Sequence, residues 1–127
     1  MSLPRLNVYR HDKRCRSLVT LAGEIDAETA PLLSASLREC LRGGMRTIDV
    51  DLTTVTFCDV SGLNAFLGAH LQAADAGAAL RLHHPSAALG RLLTLTGCTF
   101  LIGGYSAPAP GAAATPLRTG PKAPTGR

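Results

Sequence analysis

The reading of the fold turns on one stretch: Thr47-Ile48-Asp49-Val50-Asp51-Leu52, then Thr53-Thr54, then Val55-Thr56-Phe57-Cys58-Asp59-Val60-Ser61-Gly62-Leu63. Ile48, Val50 and Leu52 alternate with Thr47, Asp49 and Asp51, the period-two pattern of a strand with one buried face. Thr53-Thr54 reads as a turn, with Val55 and Phe57 leading on to Asp59-Val60-Ser61-Gly62. Beyond it Leu63, Phe66, Leu67, His70, Leu71 and Ala74 recur at helical spacing, and Asn64, Ala65, Gly68 and Ala69 form an unusually small-residued second face. A strand that runs through a short polar loop into an amphipathic helix is half of a βαβ unit, and the rest of the chain supplies its neighbours.

Working backward, residues 29–42 predict a helix. Leu33, Leu37, Cys40 and Leu41 fall on one face, Thr29 is placed to cap it, Pro31 sits in the first turn and Gly43-Gly44 ends it. Before it, residues 6–11 and 17–23 bracket polar Asp12-Lys13-Arg14 and predict a hairpin. Working forward, Gly77 closes the second helix and residues 79–83 make a strand. A third helix over 86–96 turns Leu89, Leu92 and Leu93 inward and stops at Gly97, and residues 100–102 supply a last strand. The expected class is α/β, in the order β-β-α-β-α-β-α-β, with helices packed on a central mixed sheet. Crossover helices require their flanking strands to pair in parallel.

The 127 residues fit one domain. From Ala107 the composition turns to Pro, Ala, Gly and Thr, so residues 1–106 are expected to fold and 107–127 to form a disordered tail. No apolar run approaches the roughly 18 residues a membrane span requires, and the opening residues carry no signal-peptide pattern. The expectation is a cytoplasmic protein with no membrane association. Cys15, Cys40, Cys58 and Cys98 form no Cys-x-x-Cys pair, so no zinc or redox motif is visible, and no metal or cofactor is expected. The formal charge of +4 is unevenly spread: Arg5, Arg10, Lys13, Arg14 and Arg16 oppose only Asp12 near the start, whereas the body is slightly acidic. Basic residues on a hairpin edge discourage aggregation. Direct nucleic-acid binding is disfavoured because the aromatics are few and not interleaved with the cations.

Chemistry concentrates at Asp59, Ser61 and Gly62, between a buried strand and a helix start, where α/β folds gather their sites. Ser61 reads as the residue whose hydroxyl caps the helix, and Gly62 as leaving room for another protein to reach that oxygen. Asp59 is then a second acceptor where one would suffice. A phosphate on Ser61 would add about −1.5 to −2 charges at a helix N-terminus, which tolerates them better than a docked partner would. An enzyme with a Ser61 nucleophile is disfavoured, because Cys58-Asp59-Val60-Ser61-Gly62 lacks the first glycine of a Gly-x-Ser-x-Gly elbow. His70 reads as a helix residue near the core, and His83-His84 before Pro85 as a turn. Gly23-Glu24-Ile25-Asp26 reads as a turn into the first helix, with Asp26 either capping it or joining an acidic rim around Ser61.

These residues resemble the STAS domain family, specifically the single-domain anti-sigma factor antagonists of bacteria. The resemblance covers about residues 5–105 and rests on Gly23-Glu24-Ile25-Asp26, on Val50-Asp51-Leu52 through Phe57-Cys58-Asp59-Val60-Ser61-Gly62-Leu63, and on Leu95-Thr96-Gly97. It implies that Ser61 is phosphorylated by an anti-sigma factor that is also an ATP-dependent serine protein kinase. The unmodified form would bind that kinase and release a sigma factor, phosphorylation would end the binding, and a serine phosphatase would restore it. It further implies that Asp26, Asp59 and Gly62 flank the phosphoacceptor and that Asn64, Ala65 and Gly68 belong to the docking face. The alternative is a non-switching STAS subunit of a transport or stress-sensing complex, in which Ser61 is only a cap. Val60, His83-His84, the basic hairpin and the Pro-rich tail depart from the common pattern.

Overall fold

The computed structural model describes residues 5–103. Strands β1 (Leu6–Lys13) and β2 (Arg16–Ile25) form the expected hairpin, closed by Arg14 and Cys15, with Arg14 at φ 58°. Helix α1 (Ala30–Arg42) crosses to β3 (Thr47–Cys58), α2 (Val60–Asp75) to β4 (Ala79–His83), and α3 (Ala87–Leu95) leads into a 3-10 turn (Thr99–Leu101). The sheet order is β1-β2-β3-β4, antiparallel between the first two strands and parallel thereafter. Val19 and Leu21 of β2, Ile48, Val50 and Leu52 of β3, and Leu80 and Leu82 of β4 form the buried face, on which the helices lay Leu33, Leu37, Phe66, Leu89 and Leu93. This is the mixed-sheet α/β architecture the alternation and crossover rules predict.

Strand β2 runs on through Gly23 and Glu24 to Ile25, where the sequence reads as a turn, and three further details differ from the sequence reading. Thr53-Thr54 is not a turn, because β3 runs unbroken from Thr47 to Cys58. Its register against β2 slips between Thr20 and Ala22 and again between Gly23 and Glu24. Each slip inserts a residue into β3, so the side-chain alternation reverses, which is the signature of a β-bulge. Asp51 favours the first: its Oδ1 accepts from the Thr53 N–H at 2.9 Å and from the Thr53 hydroxyl at 2.6 Å, a local bond that competes with regular pairing. The last predicted strand is instead a 3-10 turn, after which Ile102 alone bridges Leu82 in parallel.

The third difference concerns α2. Its buried stripe is Gly62, Leu63, Ala65, Phe66, Ala69 and Ala73, while Leu71 is 65% exposed and Ala74 is also exposed. Ala65, Gly68 and Ala69 share a groove with Ser34 and Arg38 of α1, where short side chains let two helices approach closely, and that requirement outweighs burial of one leucine. The Pro-rich tail lies outside the described residues.

Candidate functional site

The parallel β2–β3 pairing ends at Ile25 opposite Cys58, and the Asp59 N–H donates to the Ile25 carbonyl at 3.1 Å. The two acids that follow these strands, Asp26 and Asp59, therefore emerge side by side and line one surface depression with Arg5, Ala27 and Glu28. Sequence spacing could not bring residues 26 and 59 together; the register of two parallel strands does.

Asp59, not Ser61, caps α2. Its backbone is extended (φ −107°, ψ −167°), and its Oδ1 accepts from the Ser61 N–H at 2.9 Å and the Gly62 N–H at 3.4 Å. Ser61 sits one residue inside the helix, half-buried, and its hydroxyl makes no hydrogen bond among the described residues. The second acceptor is thus explained: Asp59 satisfies the free N–H groups and leaves the Ser61 oxygen available. Asp59→Ala is accordingly expected to lower stability by about 1 kcal/mol, the usual value of a cap. Ser61→Ala should change it by less than about 0.5 kcal/mol, as for a surface site. Urea denaturation of the two variants checks the assignment, and the reverse order would refute it.

Gly62 also has a different role from the one its sequence context suggests. It is buried, and a Cβ there would lie 2.5 Å from Cys58 Sγ and 2.7 Å from Ile25 Cγ2. The glycine lets the helix start press against the strand ends and so fixes where Ser61 stands. Burial, followed by the nearby Asp59 carboxylate, pushes the Cys58 thiol up to about 12, so this sulfur stays protonated and unreactive.

Asp26 organises the facing loop. Its Oδ1 accepts from the N–H groups of Glu28 at 2.9 Å and Thr29 at 3.1 Å, while the Thr29 hydroxyl donates to the Glu24 carbonyl at 2.8 Å. Thr29 therefore makes no side-chain cap on α1, contrary to the sequence expectation, because its oxygen is committed to the loop behind it. Burial works to raise the Asp26 pKa, but the Arg5 hydrogen bond and the Thr29 and Glu28 N–H groups outweigh it and hold the carboxyl below the usual range. Asp26 is therefore a carboxylate at neutral pH.

Beside Ser61 the starts of α1 and α2 form a shallow groove. Ala27, Ala30, Pro31 and Ser34 line one wall and Ser61, Asn64 and Ala65 the other, and the groove continues along Arg38, Gly68 and Gln72. Asn64 and Gly68 are exposed on its edge, whereas Ala65 is 9% exposed and forms its floor. The sequence reading missed the α1 wall, for which only Pro31 gave a positional signal. It also missed two apolar side chains flanking the serine, Phe57 at 50% exposure and Val60 at 56%.

The remaining candidates lie elsewhere. His70 packs against Phe100 with the rings tilted by 54° and their centroids 5.1 Å apart. His83 Nε2 lies 2.8 Å from Asp49 Oδ1, and His84 adopts φ 58° in the turn. All four cysteines are free thiols, and among the described residues no cluster of three or more His, Cys, Asp or Glu could hold a metal. No described helix is long and apolar enough to cross a membrane.

A family model described as "Mlab, STAS domain" matches residues 10–103, most of the chain, with Asp26, Asp59 and Ser61 inside the match and Arg5 before it. The protein belongs to the STAS domain family. Among relatives of this STAS domain, the anti-sigma-B factor antagonist of Bacillus subtilis is 33% identical over 84 residues, covering 66% of this chain and 76% of the relative. That of Listeria monocytogenes is 34% identical over 84 residues, covering 66% and 74%. In structure, an anti-sigma factor antagonist from Mycobacterium paratuberculosis superposes with a TM-score of 0.69 at 23% identity, covering 81% of this chain and 88% of the other. The unphosphorylated form of the Bacillus protein SpoIIAA superposes with a TM-score of 0.69 at 19% identity, covering 79% and 89%, and the phosphorylated form at 0.64, covering 79% and 92%. These structural likenesses concern the fold.

Proposed function

We propose that this STAS domain is an anti-sigma factor antagonist whose partner binding is switched off by phosphorylation of Ser61. The observation that carries the reading is the division of labour at the start of α2: Asp59 performs the capping, and Ser61 presents a hydroxyl with no bond of its own. A serine needed only for stability would be the capping residue. The curated relatives named as anti-sigma-B factor antagonists support the class of partner, and the existence of SpoIIAA in unphosphorylated and phosphorylated forms supports the kind of switch.

In the unmodified state the partner occupies the α1–α2 groove, contacting Asn64 and Gly68 on its edge over the Ala65 floor, with Phe57 and Val60 as apolar contacts around the serine. The partner is an anti-sigma factor that also acts as a serine protein kinase, and its capture frees a sigma factor. Transfer of the γ-phosphoryl of ATP to Ser61 Oγ places a dianion beside Asp26 and Asp59 and inside the interface, where desolvation and like-charge repulsion oppose docking. A serine phosphatase reverses the step. The domain itself does no chemistry in this scheme.

Incubation of the full chain with its anti-sigma factor and ATP tests this directly. Mass spectrometry should find a single phosphate on residue 61, absent from Ser61→Ala; phosphate elsewhere, or none, would overturn the reading. A second reading, the non-switching subunit of a transport or stress-sensing complex, draws on the description of the matching family model, which names Mlab and not an antagonist. It expects no modification of Ser61 and no loss of partner with Ser61→Asp.

A further inference from the structure

Arg5 stands just before β1, and the chain goes to some length to hold it. Its carbonyl accepts from the Glu24 N–H at 2.8 Å. That approach is possible only because residue 23 is a glycine at φ 119°, where a Cβ would lie 2.0 Å from the Arg5 oxygen. Its guanidinium then reaches three carboxylates at once, Glu24 at 3.2 Å, Asp26 at 2.5 Å, and Glu28. Asp59 lines the same depression, and its Oδ1 holds the Ser61 N–H at 2.9 Å. The charged groups around the mouth are therefore Glu24 on β2, Asp26 and Glu28 on the following loop, Asp59 at the start of α2, and Arg5. Among the described residues lining that depression, Arg5 is the one cation.

Ser61 lines the adjoining groove, which shares Ala27 with this depression, so a phosphate on it stands next to Asp59 and the carboxylates gathered around Arg5, an arrangement that by itself would repel it. Arg5 has five N–H donors in a fixed fork suited to phosphate oxygens. Its side chain is 41% exposed, so the fork can turn without unpacking the core. We propose that Arg5 is the counter-cation of phosphorylated Ser61, exchanging one of its carboxylate contacts for a phosphate oxygen and so retaining the modified side chain at the mouth. This rests on Ser61 being the phosphoacceptor. No covalent step is involved: the exchange replaces one ion pair by another. Gly23 of the Gly-Glu-x-Asp motif acquires a function in the same account, since its conformation sets the Arg5 backbone against β2.

The test needs no kinase. Phosphoserine is installed at position 61 of the full chain by genetic encoding, and the phosphate is titrated by phosphorus NMR in the parent and in Arg5→Gln and Arg5→Lys. A free phosphoserine has its second pKa at about 6. Loss of the cation with the carboxylates left in place should raise the parent value by about 0.5 or more, with Lys recovering part of it as a point charge. In the parent, the Arg5 Nε–H resonance should move with the same midpoint as the phosphorus signal, and this second measurement stands even if Arg5→Gln folds poorly. Identical phosphate titrations in parent and Arg5→Gln, or an Arg5 resonance that stays flat through the titration, would overturn the assignment. Because the phosphoserine is encoded and not added by a kinase, a failure here is separate from a failure to find Ser61 modified by a kinase.

Discussion

Ser61→Asp is expected to weaken binding to the anti-sigma factor on the order of 100-fold while leaving the fold intact. The two halves of this result have separate causes. Position 61 is the second residue of α2, where the N-terminal end of the helix dipole favours a negative side chain, and its half-buried site gives the carboxylate access to water. The cap on Asp59 is untouched, so the melting temperature should stay within about 3 °C, the equivalent of well under 1 kcal/mol for a domain of this size. Binding responds differently, because the new charge lies beside Asp59 and Asp26 at the end of a groove the partner must cover. Ser61→Asn supplies the control of similar shape without charge and should bind within about threefold of the parent, a difference below 1 kcal/mol. Affinities measured by calorimetry decide the matter: equal losses for Asn and Asp would mean that shape, not charge, governs docking.

Gly62→Ala should be among the most destabilising single-methyl changes in the domain. Alanine ordinarily gains about 1 kcal/mol over glycine within a helix. Here the added carbon would meet Cys58 Sγ at 2.5 Å and Ile25 Cγ2 at 2.7 Å, and Ile25 is itself wholly buried at the end of β2. Overpacking of this kind typically costs about 1–3 kcal/mol, which outweighs the propensity gain. Since the start of α2 would have to lift, the Asp59 cap and the position of Ser61 should both suffer, and partner binding should fall with stability. Removing one of the two obstructing atoms gives a sharp check: Cys58→Ala in the Gly62→Ala background should recover part of the loss, measured as a coupling in a double-mutant cycle by urea denaturation. Simple additivity of the two changes would show that the steric account is wrong.

The sheet and its crossovers were legible because Ile48, Val50 and Leu52 alternate cleanly and Leu33, Leu37 and Cys40 share one helical face. The β3 bulges were not, since the hydrogen bond Thr53 donates to Asp51 looks in sequence like the start of a turn. Hydrophobicity alone placed Leu71 inside α2, whereas the helix is rotated so that Ala65, Ala69 and Ala73 are buried, Ala65 and Ala69 in a groove shared with Ser34 and Arg38 of α1; shape complementarity between helices has no period of its own to read. At the site, Asp59 and Ser61 stood out as a pair, but which of them caps depends on a single extended backbone angle at Asp59. Arg5 was visible only as part of a basic segment. Its partners are 19 to 23 residues away along the chain and meet it through the β1–β2 register, which fixes Leu6 opposite Gly23.

The most direct test compares two forms of one chain, unmodified and carrying genuine phosphoserine at position 61, titrated against the same purified anti-sigma factor. The account predicts tight binding of the first and a loss on the order of 100-fold or more for the second, with matching far-ultraviolet spectra and melting curves. Equal affinity of the two forms would contradict it.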